Sequence, residues 1–162
     1  VQAEKATGIG KLVREGIQQT KDLARGLYPM GIDEGLDIAL ASLASTTRAR
    51  LGIHCTYQQT GQGFKLDPNT AGHLYRISQE AVTNAVVHGK PENIHIHLSR
   101  DADNLTLEVS DDGTGIGTAR NPESGIGLQI MRYRADLVGA KMEVISREGS
   151  GTRICCRASL IS

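Results

Sequence analysis

Tryptophan is absent from this chain, phenylalanine occurs once, and aromatic residues make up only 3% of its 162 residues. Leu, Ile, Val and Ala must therefore fill whatever core the chain builds. An excess of either charge is also missing: 18 basic and 18 acidic side chains cancel to a formal +0. That balance gives no argument for a nucleic-acid or membrane surface. Cysteine is scarce and odd in number. Cys55, Cys155 and Cys156 lack metal-ligand spacing, and the adjacent pair would point to opposite faces of a strand. They are expected to be free thiols in a reducing cytosol. No apolar run approaches the length of a membrane span, and no signal peptide is visible. The sequence opens at Val1 in a helical pattern rather than at Met, which suggests a piece of a longer protein whose other part would hold a membrane sensor.

What is present is ordinary for a globular protein: 39% hydrophobic and 22% charged residues. The length suits one domain with an appended helix, able to bury a core without disulfides or metal. Residues 11–28 read as a helix with a thin seam at Val13, Ile17, Thr20, Ala24 and Leu27, ended by Pro29 and Gly31. A second helix is expected from about Leu36 to Arg50 and a strand over Ile53 to Gln58. Asp67-Pro68-Asn69 marks a capped helix start, and that helix runs to about His88 with Leu74, Ile77, Ala81 and Ala85 as its core stripe. Ile94, Ile96 and Leu98 alternate, as do Leu105, Leu107 and Val109, which predicts an antiparallel hairpin about Asp103-Asn104. A helix over Gly127 to Val138 and strands over Met142 to Ser146 and Thr152 to Leu160 complete the reading.

Several polar residues sit where chemistry is expected. Glu80 and Asn84 lie one helical turn apart at the margin of the core stripe, where a polar pair can face a cleft. Asp111 shares the parity of Leu105, Leu107 and Val109, so its carboxylate points toward the covered face and needs a partner there. That carboxylate can accept a hydrogen bond from the exocyclic amine of adenine, which guanine lacks at that position. Gly113 and Gly115 let the chain turn tightly beside a base, although Asp-Gly alone also marks a plain hairpin turn. Gly125 and Gly127 precede a helix, whose free N–H groups and dipole can receive phosphate oxygens. Asn84 offers a hard neutral oxygen suited to Mg²⁺, or simply fills a helix margin. Thr152 is placed to hold Asp111 or a bridging water, or is there for strand propensity. His95 and His97 share the outer parity of their strand and read as a solvated sheet face rather than a zinc pair. Arg132 and Arg134 read as helix decoration.

Taken in order, these segments resemble a known set. Glu80-Ala81-Val82-Thr83-Asn84-Ala85 resembles the N-box of the histidine kinase, gyrase and Hsp90-type ATPases. Asp111-x-Gly113-x-Gly115, Gly125-x-Gly127-Leu128 and Gly149-x-Gly151-Thr152 resemble their three glycine boxes. Arg76-Ile77-Ser78-Gln79-Glu80-Ala81 and the run Gly127 to Ala135 resemble the nitrate-sensor and DesK-like sensor histidine kinases. The resemblance covers roughly residues 21 to 160. It implies a two-layer α/β sandwich, a mixed, mainly antiparallel sheet covered on one face by helices, with an N-terminal helix. Residues 1–30 would be the second helix of a dimerisation hairpin and 31–162 an ATP-binding catalytic domain. It also implies ATP and Mg²⁺ as cofactors, an adenine contact at Asp111, His88 near the phosphates, and Glu80 ordering the metal's waters or accepting a proton. A histidine-bearing helix of the same protein, a homodimeric partner and a response regulator are the implied partners. No nucleic-acid partner and a cytoplasmic site are the corresponding expectations. Two departures stand out. Val87 occupies a position where these proteins often carry Lys, and no His precedes His54, so the phospho-accepting helix is not in this sequence. Thr118 to Ser124 would form a short lid. An anti-sigma-factor-type serine kinase, or a nucleotide-gated module without turnover, shares the boxes and remains an alternative.

Overall fold

A computed structural model describes Gly10, Val13, Gly16 and residues 31–64, 66–116 and 125–160. Of the N-terminal seam, Val13 is helical and 54% exposed. Ile17, Thr20, Ala24, Leu27 and the lid over Thr118 to Ser124 lie outside the described residues.

The first long helix, α1 (Leu36–Leu51), buries Leu36, Ala39, Leu40 and Ala44 against the sheet. Strand β1 (His54–Thr60) follows it. Helix α2 (Pro68–Asn84) starts as its sequence dictates: Asp67 caps it by accepting the Thr70 N–H at 2.9 Å, and Pro68 occupies the first turn. Leu74, Ile77, Ala81 and Ala85 are all buried. One buried polar residue joins them: Ser78 returns its hydroxyl proton to the Leu74 carbonyl at 3.1 Å.

The α-helix does not run on to His88. From Ala85 to Gly89 it widens into a π-turn, and Lys90 then takes a left-handed conformation with φ 47°. The cause lies in another segment. The Gly89 carbonyl accepts the Thr114 N–H at 2.9 Å, and the His88 carbonyl accepts the Thr114 hydroxyl at 3.4 Å. The helix end is drawn onto the loop after β3. π-turns of this sort are enriched at functional sites.

Strands β2 (Asn93–Arg100) and β3 (Asn104–Asp111) form the expected hairpin. Its turn comes slightly earlier than Asp103-Asn104, because Asn104 already belongs to β3. Asp101 organises the turn by accepting the Asp103 and Asn104 N–H groups at 2.8 and 2.7 Å. Helix α3 (Ile126–Leu137) and the hairpin of β4 (Ala140–Ser146) and β5 (Thr152–Ser159) complete the chain. The sheet order is β1-β2-β3-β5-β4, with β1 parallel to β2 and every other pair antiparallel. This is the mixed, mainly antiparallel sheet that was anticipated.

The three helices share one face. Ile94, Ile96, Leu98, Leu105, Leu107, Val109, Ile154 and Cys156 point into it, joined by Met131 and Ala135 of α3 and by the single phenylalanine, Phe64. Cys156 is buried and Cys155 half-buried on the opposite face, as alternation requires, and all three cysteines are free. Burial pushes the Cys156 thiol up to about 12. Ile96 is 1% exposed on a strand with neighbours on both sides. Ile96→Ala should therefore cost about 2–5 kcal/mol in chemical denaturation, the range for cavity-forming core truncations.

Candidate functional site

At the end of the sheet under the helices, four strands contribute one residue each to a single row. Ile94, Asp111, Thr152 and Ser146 are successive register partners on β2, β3, β5 and β4. Ile94 is fully buried, whereas Asp111, Thr152 and Ser146 are half-buried. The row thus changes from apolar to polar where the core opens.

Asp111 points inward as its parity requires. Burial raises its carboxyl pKa above the usual range, and the backbone N–H groups of Gly113 and Thr152 pull the other way. The Gly113 N–H reaches Asp111 Oδ1 at 2.8 Å. Glycine is needed at 113 for space: a Cβ there would collide with the Gly89 carbonyl and sit 2.8 Å from the same carboxylate oxygen. Gly89 touches Asp111 from the far side, with a Cβ position 3.3 Å from Oδ1. Asp111 is wedged between the π-turn and the loop that follows its own strand. Gly115 sits in that loop with φ +74°, beside the β4–β5 turn.

The neighbouring Asp112 is exposed, and in the sequence its Asp-Gly pair signals only a turn. It accepts the Glu92 and Asn93 N–H groups at 2.9 Å each and the Asn93 amide at 2.7 Å. The Asn93 side chain and backbone, with the Glu92 N–H, hold its carboxyl below the usual range. Asp112 thereby staples the start of β2 to the end of β3. Ser146 was missed as well. Its signal was available: it continues the alternation of Met142 and Val144, so it had to face inward.

Glu80 and Asn84 lie half-buried on α2, facing the start of α3. A Cβ on Gly127 would collide with the Glu80 carboxylate and meet the Asn84 amide nitrogen at 3.1 Å. Glycine at 127 thus lets α3 begin directly against this polar pair. Gly125 is the N-cap of α3, and Gln129 is bonded to its carbonyl at 3.0 Å. The N–H groups of Ile126, Gly127 and Leu128 precede that bond and point out of the helix end. Leu128 itself belongs to the core, so what it offers a ligand is backbone. His88 is exposed on the π-turn, with Val87 beside it 60% exposed.

Two sets of protein contacts were not anticipated. The Thr152 hydroxyl is 3.0 Å from the Ser146 hydroxyl, so its protein partner is Ser146; its link to Asp111 is the backbone N–H. The arginines after the second glycine box reach protein groups: Arg132 donates to the Met142 carbonyl at 3.3 Å, and Arg134 lies 3.4 Å from the His73 ring. His95 and His97 pair with Thr56 and Thr60 across β1 at 2.7 and 3.0 Å, on the face away from the site.

Among the described residues, no group of three or more His, Cys, Asp or Glu is placed to hold a metal ion. Glu80 and Asn84, hard oxygen donors beside a helix N-terminus, fit an ion such as Mg²⁺ that takes most of its shell from phosphate and water.

Residues 69–161 match the family described as histidine kinase-, DNA gyrase B-, and HSP90-like ATPase. The chain is 30% identical over 151 residues to the sensor protein VraS of Staphylococcus haemolyticus, and equally to that of Staphylococcus aureus. Each match covers 93% of this chain and 43% of the relative, so the chain spans less than half the length of these relatives. Among solved structures, the histidine kinase domain of the Erythrobacter litoralis EL346 blue-light activated histidine kinase superposes with a TM-score of 0.66 at 24% identity. That match covers 78% of this chain and 61% of the other. The Acinetobacter baumannii histidine kinase AdeS gives 0.60 at 13% identity, covering 78% and 64%. Both likenesses concern the fold.

Gly127→Ala separates stability from site geometry. Alanine gains up to about 1 kcal/mol of helix propensity over glycine, which offsets the displacement of the flexible Glu80 carboxylate. Thermal denaturation should stay within about 1 kcal/mol of the parent, while calorimetric affinity for an adenine nucleotide falls at least tenfold, by about 1.4 kcal/mol or more.

Proposed function

Because this chain belongs to the family of histidine kinase-, DNA gyrase B- and HSP90-like ATPases, we propose that residues 31–162 are the ATP-binding catalytic domain of a two-component sensor histidine kinase. The observation that carries this is the fit of α3 against α2. Gly127 brings a helix N-terminus onto Glu80 and Asn84, at the open end of a sheet where Asp111 presents a half-buried carboxylate.

In this reading Asp111 accepts from the exocyclic amine of adenine, and Gly113 and Gly115 give the base room. The first turn of α3, after Gly125 and Gly127, receives phosphate oxygens, with His88 at their edge. Asn84 would hold Mg²⁺, which when bound would neutralise phosphate charge. Phosphoryl transfer asks the protein mainly for position and charge. The accepting group is an imidazole nitrogen of a histidine on a helix outside residues 1–162. As its bond to the γ-phosphorus forms, the bond from that phosphorus to the oxygen of departing ADP breaks. The ring proton leaves to solvent or to Glu80. A response regulator takes the phosphoryl group next. Residues 1–30 serve as the second helix of a dimerisation hairpin, and the intact protein is a homodimer whose catalytic domain lies in the cytoplasm. Among the described residues, no helix is long and apolar enough to cross a membrane.

Calorimetry with a non-hydrolysable ATP analogue and Mg²⁺ tests the pocket. Asp111→Asn should weaken binding about 10- to 100-fold, the worth of a hydrogen bond to a charged group. The unliganded variant should be at least as stable as the parent at pH 7, because a partly desolvated charge has gone. The pH dependence has opposite signs for the two quantities. Binding needs the carboxylate, so affinity falls as pH drops through the raised pKa of Asp111. The stability of the ligand-free protein falls as pH rises from the ordinary carboxylate range through that raised value, since the folded state holds the proton longer. If the parent shows no binding and Asp111→Asn changes nothing, the pocket is misassigned. Supplying the histidine-bearing hairpin in trans and assaying acid-labile phosphohistidine tests the kinase reaction.

Val87, exposed on the π-turn, leaves a cation position empty relative to the resemblance. Val87→Lys should tighten ATP binding a few-fold at low salt, by about 0.5–1 kcal/mol, and the gain should shrink as ionic strength rises.

A further inference from the structure

Ser146 makes three hydrogen bonds with one oxygen. Its Oγ lies 2.6 Å from the Ile116 N–H, 3.1 Å from the Gly151 carbonyl and 3.0 Å from the Thr152 hydroxyl. The directions of these bonds follow from chemistry. A backbone N–H can only donate, and a carbonyl can only accept. The single Ser146 proton therefore goes to Gly151. The remaining bond must run the other way, with the Thr152 hydroxyl donating to Ser146. The one proton of Thr152 is then spent within the protein, and its Oγ1 has only lone pairs for anything else.

Thr152 is the direct register partner of Asp111 and shares its face of the sheet. Such positions place Cβ atoms about 5 Å apart. A carboxylate and a hydroxyl locked as an acceptor thus stand side by side. A 6-amino group on a purine has two N–H bonds to give, whereas a 6-oxo group has only lone pairs. We propose that Ser146 is a specificity-determining positioning residue: by taking the Thr152 proton, it leaves two adjacent acceptors, Thr152 and Asp111, that select 6-amino over 6-oxo purine nucleotides. Without Ser146 the Thr152 hydroxyl rotates freely and can donate to an oxo group, so the discrimination narrows. Ser146 touches no ligand itself. This inference rests on the nucleotide reading above.

The experiment is calorimetry on the 162-residue chain with ATP and inosine triphosphate, each with Mg²⁺, taking the ratio of the two affinities as the readout. Ser146→Ala should shrink that ratio about fivefold to tenfold, the scale of one hydrogen bond. Ser146→Thr, which keeps a hydroxyl, should restore it. If Ser146→Ala weakens both nucleotides equally, or neither, Ser146 is only a hairpin clamp and the proposal is overturned. On the unaltered protein, N6-methyl-ATP keeps one amine N–H and should bind between the other two nucleotides. Binding equal to that of ATP would show that no second acceptor exists, a result that does not depend on any variant folding. If the parent binds neither ATP nor inosine triphosphate, the nucleotide reading itself fails, and this proposal with it. Loss of ATP binding in Asp111→Asn with an unchanged ratio in Ser146→Ala overturns the role of Ser146 alone.

Discussion

A carboxylate that surrenders part of its hydration must find hydrogen bonds inside the protein or in a ligand. Asp111 is such a group. Burial outweighs the N–H donors of Gly113 and Thr152 and raises its carboxyl pKa. Much of the surrounding architecture serves to hold it in that position. Gly89 and Gly113 press on it from two segments, and the Asp112 staple fixes the strand end that carries it. The π-turn exists because Thr114, three residues beyond Asp111, takes two carbonyls at the end of α2. A partly desolvated carboxylate at the open end of a sheet suits a ligand that brings a hydrogen-bond donor.

The proposed phosphate side follows a different logic. There the constraint is steric rather than electrostatic. One missing methyl group, at Gly127, lets two helices approach until a carboxylate and a carboxamide lie at a helix N-terminus. The helix end supplies directed N–H groups, and α2 supplies oxygens. In the proposed reading, base recognition and phosphate recognition are built from separate element pairs, joined through the single continuous run from Glu80 to Gly89.

Much of this was legible in the chain itself. The stripe Leu74, Ile77, Ala81 and Ala85, the hairpin parity that turned Asp111 inward, and the Asp67 cap all depend on neighbours within a few residues. Periodicity reports such relations directly. The π-turn contacts and the Asp112 staple did not show, because each is a set of hydrogen bonds between segments 19 or more residues apart. The Ser146–Thr152 contact is local, across the β4–β5 hairpin, and the alternation of Met142, Val144 and Ser146 carries its signal; the Ile116 N–H, brought to Ser146 from another segment, does not show in that alternation.

The sheet order carries a kinetic implication. Strands β2, β3, β5 and β4 form a continuous antiparallel layer made of two hairpins laid edge to edge, while β1 joins at the margin through a parallel ladder. That parallel pair can close only after the whole of α2 has crossed over the sheet, a larger loop-closure entropy than either hairpin faces. The polar row of Asp111, Thr152 and Ser146 lies entirely on the antiparallel layer. The β3–β5 ladder that joins the two hairpins faces a closure at least as long, so both ladders are expected to form after the hairpins, and the residues that would read the base come into register only when the two hairpins meet.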